Sequence, residues 1–85
     1  MPEVCRWSNI KIEQHYNDHH PPHFHAFQAG DEVLLTIADL SIYAGSLNRK
    51  ALADVIAWAQ NHRAELALNW VDILANKSPA RIAYP

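Results

Sequence analysis

The spacing of apolar residues changes once along this 85-residue chain, and that change constrains the fold more than any other feature. Before residue 45, apolar and polar residues alternate in several segments, which is typical of half-buried strands. After Ser46 the spacing becomes helical, and one stripe contains Leu52, Val55, Ile56 and Ala59. The sequence therefore predicts an α+β fold, in which a small antiparallel sheet of three to four strands is followed by two α-helices packed on it.

The alternating segments place the strands. They predict strands over residues 7–16, 23–28 and 32–38, and residues 42–44 provide a shorter fourth strand. Gly30 lies in the short connection between the second and third strands, where it can take a positive φ, so these two strands should form a hairpin.

The apolar stripe continues in the same helical phase almost to residue 75, but a single helix over this whole range would be too long for the domain. A helix over residues 48–75 would be about 42 Å long, whereas a domain of this size has a radius of gyration of about 12 Å. We therefore predict an N-cap at Ser46 or Asn48, a break at residues 61–63, and Glu65 in the first turn of the second helix. The chain then forms one domain over residues 1–85, with the sheet in 1–45, the helices in 46–76, and a tail in 77–85 that either docks as an edge or stays loose.

The overall charge and composition exclude several classes of protein. A formal charge of −2 does not suit a protein that coats nucleic acid nonspecifically, although it is compatible with a local basic patch. Cys5 is the single cysteine, so it can form neither an intrachain disulfide nor a cysteine-based zinc finger, and we expect it to be a buried apolar group. No signal-peptide pattern and no apolar run of about 20 residues is present, which predicts a cytoplasmic protein with no membrane partner.

Two tryptophans in the helical part receive different predictions. Trp70 lies on the apolar stripe and should be in the core, whereas Trp58 lies off it and is the better candidate for an interface. His62, near the predicted break, should be a helix cap or a solvated residue.

Histidines are concentrated in one short stretch, where residues 15–25 contain five of the six in the chain, namely His15, His19, His20, His23 and His25. Because strand side chains alternate, His23 and His25 should project from one face and Phe24 from the other. Pro21 and Pro22 make the preceding loop stiff, so that it presents His19 or His20 close to this face. The segment 17–25 is therefore the candidate functional site.

Imidazole can bind a metal, transfer protons or form structural hydrogen bonds, and the residues alone leave all three roles open. A divalent metal such as zinc could be bound by His23, His25 and either His19 or Asp18, with one coordination position left open. In the structural alternative, the imidazoles cap backbone groups, line a solvent-exposed face or contact a partner.

A role in proton transfer leads to a prediction about phosphate chemistry. One histidine would remove a proton from a ribose 2′-hydroxyl and another would protonate the leaving oxygen, so the two must lie on opposite sides of one phosphate. The phosphate charge would be neutralised by a set of cationic residues consisting of Arg6, Lys11, Arg49 and Lys50.

Over nearly its whole length the chain resembles a family of small bacterial domains of unknown function, numbered 4160. The resemblance rests on the opening MPEVCRW, the strand IKIEQHY, the motif Asp18-His19-x-Pro21-Pro22-His23-Phe24-His25, and the pattern from Gly45-Ser46-Leu47 through Trp58, His62-Arg63 and Asn69-Trp70. It implies a toxin component of a toxin-antitoxin-like gene pair, with a small antitoxin-like protein as partner. It also implies that His19, His23 and His25, supported by Asp18, matter more than the variable position of His20.

Two functional hypotheses follow from these observations. In the first, the protein is a toxin that cleaves or modifies RNA, as a ribonuclease-like or other histidine-dependent enzyme. In the second, the protein is not an enzyme. It is a protein-binding module that binds its partner through the histidine surface or the helix pair, or a metal-binding domain that uses the histidines. The sequence leaves open whether the chain forms a homo-oligomer.

Overall fold

A computed structural model of the chain describes residues 2–16 and 19–85. Within them, five strands precede two helices, in the order β1 (Glu3–Trp7), β2 (Ile10–Glu13), β3 (His23–Gln28), β4 (Asp31–Thr36), β5 (Ile42–Gly45), α1 (Arg49–Gln60) and α2 (Arg63–Leu74). The strands form one sheet in sequence order, and each neighbouring pair is antiparallel. The α+β prediction is confirmed, with one strand more than the predicted maximum of four.

The additional strand is β1, which the alternation pattern did not reveal. The register between β1 and β2 shifts between Glu3 and Cys5, and the neighbouring Val4 and Cys5 are both buried. An irregularity of this kind interrupts the period of two on which the prediction depended. The predicted strand 7–16 is instead a turn around Ser8, whose φ is 51°, followed by β2.

The two faces of β3 are divided as predicted. Phe24 and Ala26 are completely buried in the core, where the Phe24 ring meets the Trp58 ring of α1 edge to face with 6.4 Å between centroids. His23, His25 and Phe27 project from the opposite face. The hairpin from β3 to β4 turns at Ala29 and Gly30, which both have positive φ.

The helical part is divided where the length argument placed the break. Asn48 caps α1 by accepting a hydrogen bond from the Ala51 amide at 2.8 Å, and α1 ends at Gln60, with Asn61 as its C-cap. The Arg63 side chain at the start of α2 donates to the carbonyls of Ile37 and Ala38, and so ties the break to the turn that follows β4. The radius of gyration is 11.6 Å. Within residues 2–16 and 19–85, neither the length nor the apolar character of any helix suffices to cross a membrane.

Trp58 is a core residue, so the prediction that it forms an interface is wrong. Its side chain is 3% exposed, and its indole Nε1 donates to the Ala83 carbonyl at 3.0 Å. The buried stripe of α1 is rotated relative to the predicted one and consists of Ala51, Val55, Trp58 and Ala59. Trp70 is buried as predicted.

The tail docks against the sheet instead of staying loose. The Ile82 amide donates to the Val4 carbonyl at 2.7 Å, which places the tail beside β1. Asn69 of α2 holds the tail through both its oxygen and its nitrogen, which bond the Ala80 amide and carbonyl at 2.9 Å each. His62 is buried and bonds both Glu65 and the Pro85 carbonyl. The tail is therefore part of the folded domain.

Candidate functional site

The face of the sheet opposite the one on which Phe24 and Ala26 are buried carries the candidate site. In the register of the strands, Glu13 of β2 is opposite His25 of β3, and Lys11 is opposite Phe27. Residues that are directly opposite in an antiparallel pair share a face and lie within side-chain contact. This register places acidic, basic and aromatic side chains around His25.

A stacked pair of imidazoles, His15 and His25, forms the centre of this face. Their ring centroids are 3.8 Å apart and their planes are inclined by 25°. His15 Nε2 donates to Glu13 Oε1 at 2.7 Å, and His25 Nδ1 donates to Glu32 Oε2 at 2.7 Å. A carboxylate therefore orients each ring of the histidine pair, as second partners do for histidines that transfer protons.

Glu13 is a buried carboxylate that stays ionised. Its side chain is 6% exposed, and it accepts hydrogen bonds from His15 and from Lys11 Nζ, the latter at 2.9 Å. Burial raises the pKa of Glu13, but these hydrogen bonds and the positive charge of Lys11 outweigh burial and hold the pKa below its usual range. Glu13 therefore presents a fixed negative charge to His15.

His23 is buried next to the histidine pair, with its ring 5.3 Å from that of His25 between centroids. Its Nδ1 donates to the Pro21 carbonyl at 2.8 Å, and its ring contacts those of Tyr43 and Trp70, with 5.4 Å between centroids in each case. These contacts fix the imidazole in place. The structure thus brings His23 and His25 together, as the sequence predicted.

The loop residues of the predicted site are placed differently. His19 is exposed, and among the described residues the ring contacts that connect His15, His23 and His25 do not extend to it. His20 is also exposed and meets the edge of the Trp70 ring, with 5.8 Å between centroids. The predicted role of Asp18 lies outside the described residues.

A cleft of about 470 Å³ opens beside His15, and Pro2, Glu3, His15, Tyr16, Ser78 and Pro79 line it. The Tyr16 hydroxyl donates to Ser78 Oγ at 3.2 Å, which connects the segment after β2 to the tail. Because Nε2 of His15 bonds Glu13, Nδ1 is the His15 nitrogen that a molecule in the cleft could use. The volume is in the range of sites for small molecules.

Two arginines meet at the Glu3 side of the cleft. Arg6 contacts Glu3 Oε1 through Nε at 3.2 Å and Nη2 at 2.7 Å, and Arg81 of the tail contacts Glu3 Oε2 through Nη1 at 2.9 Å. The hydrogen bonds from Arg6 and Arg81 lower the pKa of Glu3 to about 2. Both arginine side chains are largely exposed, 59% for Arg6 and 63% for Arg81.

The four predicted phosphate-binding residues fall in two places. Arg6 and Lys11 are directly opposite each other on β1 and β2, on the face of the histidine pair. Arg49 and Lys50 are exposed at the start of α1, where Lys50 pairs with Asp54 at 3.3 Å. The structure therefore brings two of the four cations to the candidate site.

The predicted metal ligands do not form a metal site among the residues described. Within residues 2–16 and 19–85, no group of three or more His, Cys, Asp or Glu residues is arranged to hold a metal ion. His23 Nδ1 and His25 Nδ1 are engaged with Pro21 and Glu32. The metal-binding alternative stays a prediction.

Sequence reasoning passed over His15, Glu13 and Glu32, although a signal for His15 and Glu13 was present. In the predicted first strand, Glu13 and His15 share the polar face with Lys11, and antiparallel pairing with the next strand brings that face alongside His25. The position of Glu32 follows from the hairpin register, in which it is opposite Phe27.

A family model described as a domain of unknown function (DUF4160) matches residues 9–71. This range includes β2 to β5, α1, most of α2 and the histidine pair, whereas β1 and the tail lie outside it. No curated protein and no solved structure matches the chain.

Proposed function

Since this chain belongs to the DUF4160 family, whose function is unknown, we propose from its site that it is a histidine-dependent acid–base enzyme that cleaves RNA, as the toxin component of a toxin-antitoxin-type module. The observation that supports this most is the stacked pair of His15 and His25, with each imidazole bound to its own carboxylate. A carboxylate-bound imidazole at a cleft is a common arrangement for a general base.

The arrangement of the rings determines which histidine reacts. Rings stacked 3.8 Å apart leave no room for a phosphate between them, so His15 and His25 do not act on opposite sides of one phosphate. His15 lines the cleft and can touch a substrate there. We therefore assign proton transfer to His15, and make Glu13 and His25 the positioning residues that fix its ring.

In the proposed reaction, His15 Nδ1 accepts the proton of a ribose 2′-hydroxyl while the 2′-oxygen bonds to the neighbouring phosphorus. The bond from phosphorus to the 5′-oxygen of the next nucleotide then breaks. The His15 imidazolium returns the proton to that oxygen, which leaves a 2′,3′-cyclic phosphate and a free 5′-hydroxyl. No cofactor enters this balance, and the nearby cations Lys11 and Arg6 favour an anionic substrate.

Purified protein incubated with total RNA, with and without a chelator, tests this proposal. We expect cleavage in both samples and 2′,3′-cyclic phosphate ends on the products. Expression should arrest growth, and a variant with His15, His23 and His25 all changed to Ala should not. A folded triple variant that arrests growth as strongly as the parent would refute the proposal. Cleavage that stops with the chelator would instead favour the metal-dependent alternative.

One observation favours the second hypothesis, a non-enzymatic protein-binding module. Leu68, Val71 and Leu74 of α2 are 61%, 59% and 56% exposed, so the helix presents an apolar stripe to solvent. If the protein acts only by binding an antitoxin-like partner, Leu68→Asp should abolish complex formation, and no RNA cleavage should be detected. The histidine variants should then leave the complex intact.

A further inference from the structure

Arg81 is a cation of the tail that is absent from the predicted phosphate-binding set. It also lies outside the family match, which ends at residue 71. Its Nη1 bonds both the carboxylate and the backbone carbonyl of Glu3, at 2.9 and 3.2 Å. Arg6 bonds the other oxygen of the same carboxylate. One acidic side chain thus holds two guanidinium groups from opposite ends of the chain.

This arrangement leaves one positive charge in excess, and more than half of each guanidinium side chain is exposed. An arginine has five donor N–H groups in a rigid planar fork that matches phosphate oxygens. The contacts with Glu3 use two nitrogens of Arg6 and one of Arg81, so donors on both side chains are left for another anion. Because Glu3 already restricts both side chains, less conformational entropy is lost when they bind a phosphate.

Glu3 also lines the cleft that contains His15 and Tyr16. A phosphate bound by the arginines would therefore lie at one side of the cleft and the proposed general base at another. The half-buried Tyr16 provides an aromatic ring on which a base can stack. Unstacked bases of single-stranded RNA can enter such a cleft, whereas bases in a duplex are already stacked on both sides.

We propose that Arg6 and Arg81, held by Glu3, form a phosphate-binding subsite for single-stranded RNA, which delivers the adjacent nucleotide to the cleft beside His15. This inference rests on the proposed function for the reaction at His15, but binding at the subsite requires no cleavage. The tail thereby contributes to substrate binding, and its attachment through Asn69 sets the position of Arg81.

Binding of a short single-stranded oligonucleotide with 2′-deoxyribose, which cannot be cleaved by this reaction, tests the subsite separately from catalysis. Fluorescence anisotropy over a series of salt concentrations should give an affinity about tenfold lower for Arg81→Gln than for the parent at low salt. For Arg81→Gln, the negative slope of log K against log salt should become shallower by about 0.7, the value for one phosphate contact with a single strand.

Arg49→Gln is the matched control, because it removes one exposed positive charge from the start of α1, away from the cleft. It should leave the affinity and the salt slope close to those of the parent. Arg81→Lys, which keeps the charge and loses the planar fork, should recover the salt slope and only part of the affinity.

Three outcomes separate the two proposals. If Arg81→Gln weakens oligonucleotide binding but the parent cleaves no RNA, the subsite stands and the proposed reaction fails. If the parent cleaves RNA but Arg81→Gln, folded by circular dichroism, binds with parental affinity and slope, the subsite is refuted and the reaction stands. Equal weakening by Arg81→Gln and Arg49→Gln also refutes the subsite, since it would show nonspecific charge attraction.

Discussion

The imidazole ring of His15, which follows β2, stacks on that of His25 within β3 at 3.8 Å between centroids. Each ring is also bound to a glutamate, so that Glu13, His15, His25 and Glu32 form one continuous array across three strands. The array extends from the cleft at His15 to the partly exposed Glu32. Its geometry depends on the sheet register.

The ionisation of Glu13 should make stability depend on pH. Because the folded protein lowers the pKa of Glu13, this carboxylate stabilises the fold fully above about pH 4.3, the ordinary value for an unfolded glutamate. The contribution is lost as the pH falls through the lower pKa of the folded state. Glu13→Gln should therefore lose less stability than the parent between about pH 6 and about pH 3.

Urea unfolding at a series of pH values measures this difference. Glu3, whose pKa is also lowered, is present in both proteins, so its effect cancels when the two curves are subtracted. Parallel curves for the parent and Glu13→Gln would show that Glu13 is not held in its ionised form by His15 and Lys11.

Gly45, at the end of β5, packs closely against the backbone of Glu32, which belongs to the array. Its φ is +75°, and a Cβ at this position would lie 2.2 Å from the Glu32 carbonyl oxygen. Gly30 has a similar φ of +85° with no atom within 4 Å of the corresponding Cβ. Gly30→Ala should cost about 1 to 2 kcal/mol from the left-handed backbone alone, and Gly45→Ala should cost more because the Glu32 backbone must move.

Thermal and urea unfolding of the two variants gives the comparison. A shift of the His25 ring signals in NMR spectra should accompany Gly45→Ala and be absent from Gly30→Ala, because Glu32 bonds His25. Equal destabilisation by both substitutions would mean that the close approach of Gly45 to Glu32 has no energetic consequence.

Asn69 holds the tail through a buried network. Its Nδ2 donates to Gln14 Oε1 and to the Ala80 carbonyl, and its Oδ1 accepts from the Ala80 amide, all at 2.9 to 3.0 Å. Asn69→Ala leaves the buried Gln14 side-chain oxygen and the Ala80 backbone groups without this partner, so it should destabilise the fold by about 2 to 3 kcal/mol. Leu68→Ala is the control, since this side chain on the same helix is 61% exposed and should cost under about 0.5 kcal/mol.

Hydrogen exchange of the Ile82 amide, which bonds the Val4 carbonyl, reports whether the tail detaches. It should be faster in Asn69→Ala and unchanged in Leu68→Ala. Unchanged exchange in Asn69→Ala would show that β1 holds the tail without help from α2.

Local patterns were sufficient to predict the elements with regular spacing. The alternation around Phe24 gave the faces of β3, and the length of the helical stripe placed the break at residues 61–63 although no glycine or proline marks it. The same reasoning missed β1, because the irregularity near Cys5 buries two consecutive residues. It also misplaced Trp58, because the buried side of α1 keeps Val55 and Ala59 of the predicted stripe but includes Ala51 and Trp58, while Leu52 and Ile56 are only partly buried.

The site was predicted less completely than the fold, since it depends on pairing between strands. The sequence singled out His23 and His25, which share a face of β3, whereas His15 joins them only through the register of β2 with β3. Arg81 reaches Glu3, at one side of the cleft, through the docked tail, and the sequence left the position of the tail open. Contacts between segments distant in sequence leave no periodic signal, so they required the structure.

Cleavage of RNA by His15 variants is the most direct test of the central claim. His15→Phe keeps an aromatic ring against His25 and removes both nitrogens, so it should lower the rate about 10² to 10⁴-fold. His62→Gln is the control, because His62 also bonds a glutamate, Glu65, but lies at the start of α2 against the tail. The account predicts that folded His62→Gln cleaves RNA at the parental rate and that folded His15→Phe does not. Cleavage by His15→Phe at the parental rate would contradict it.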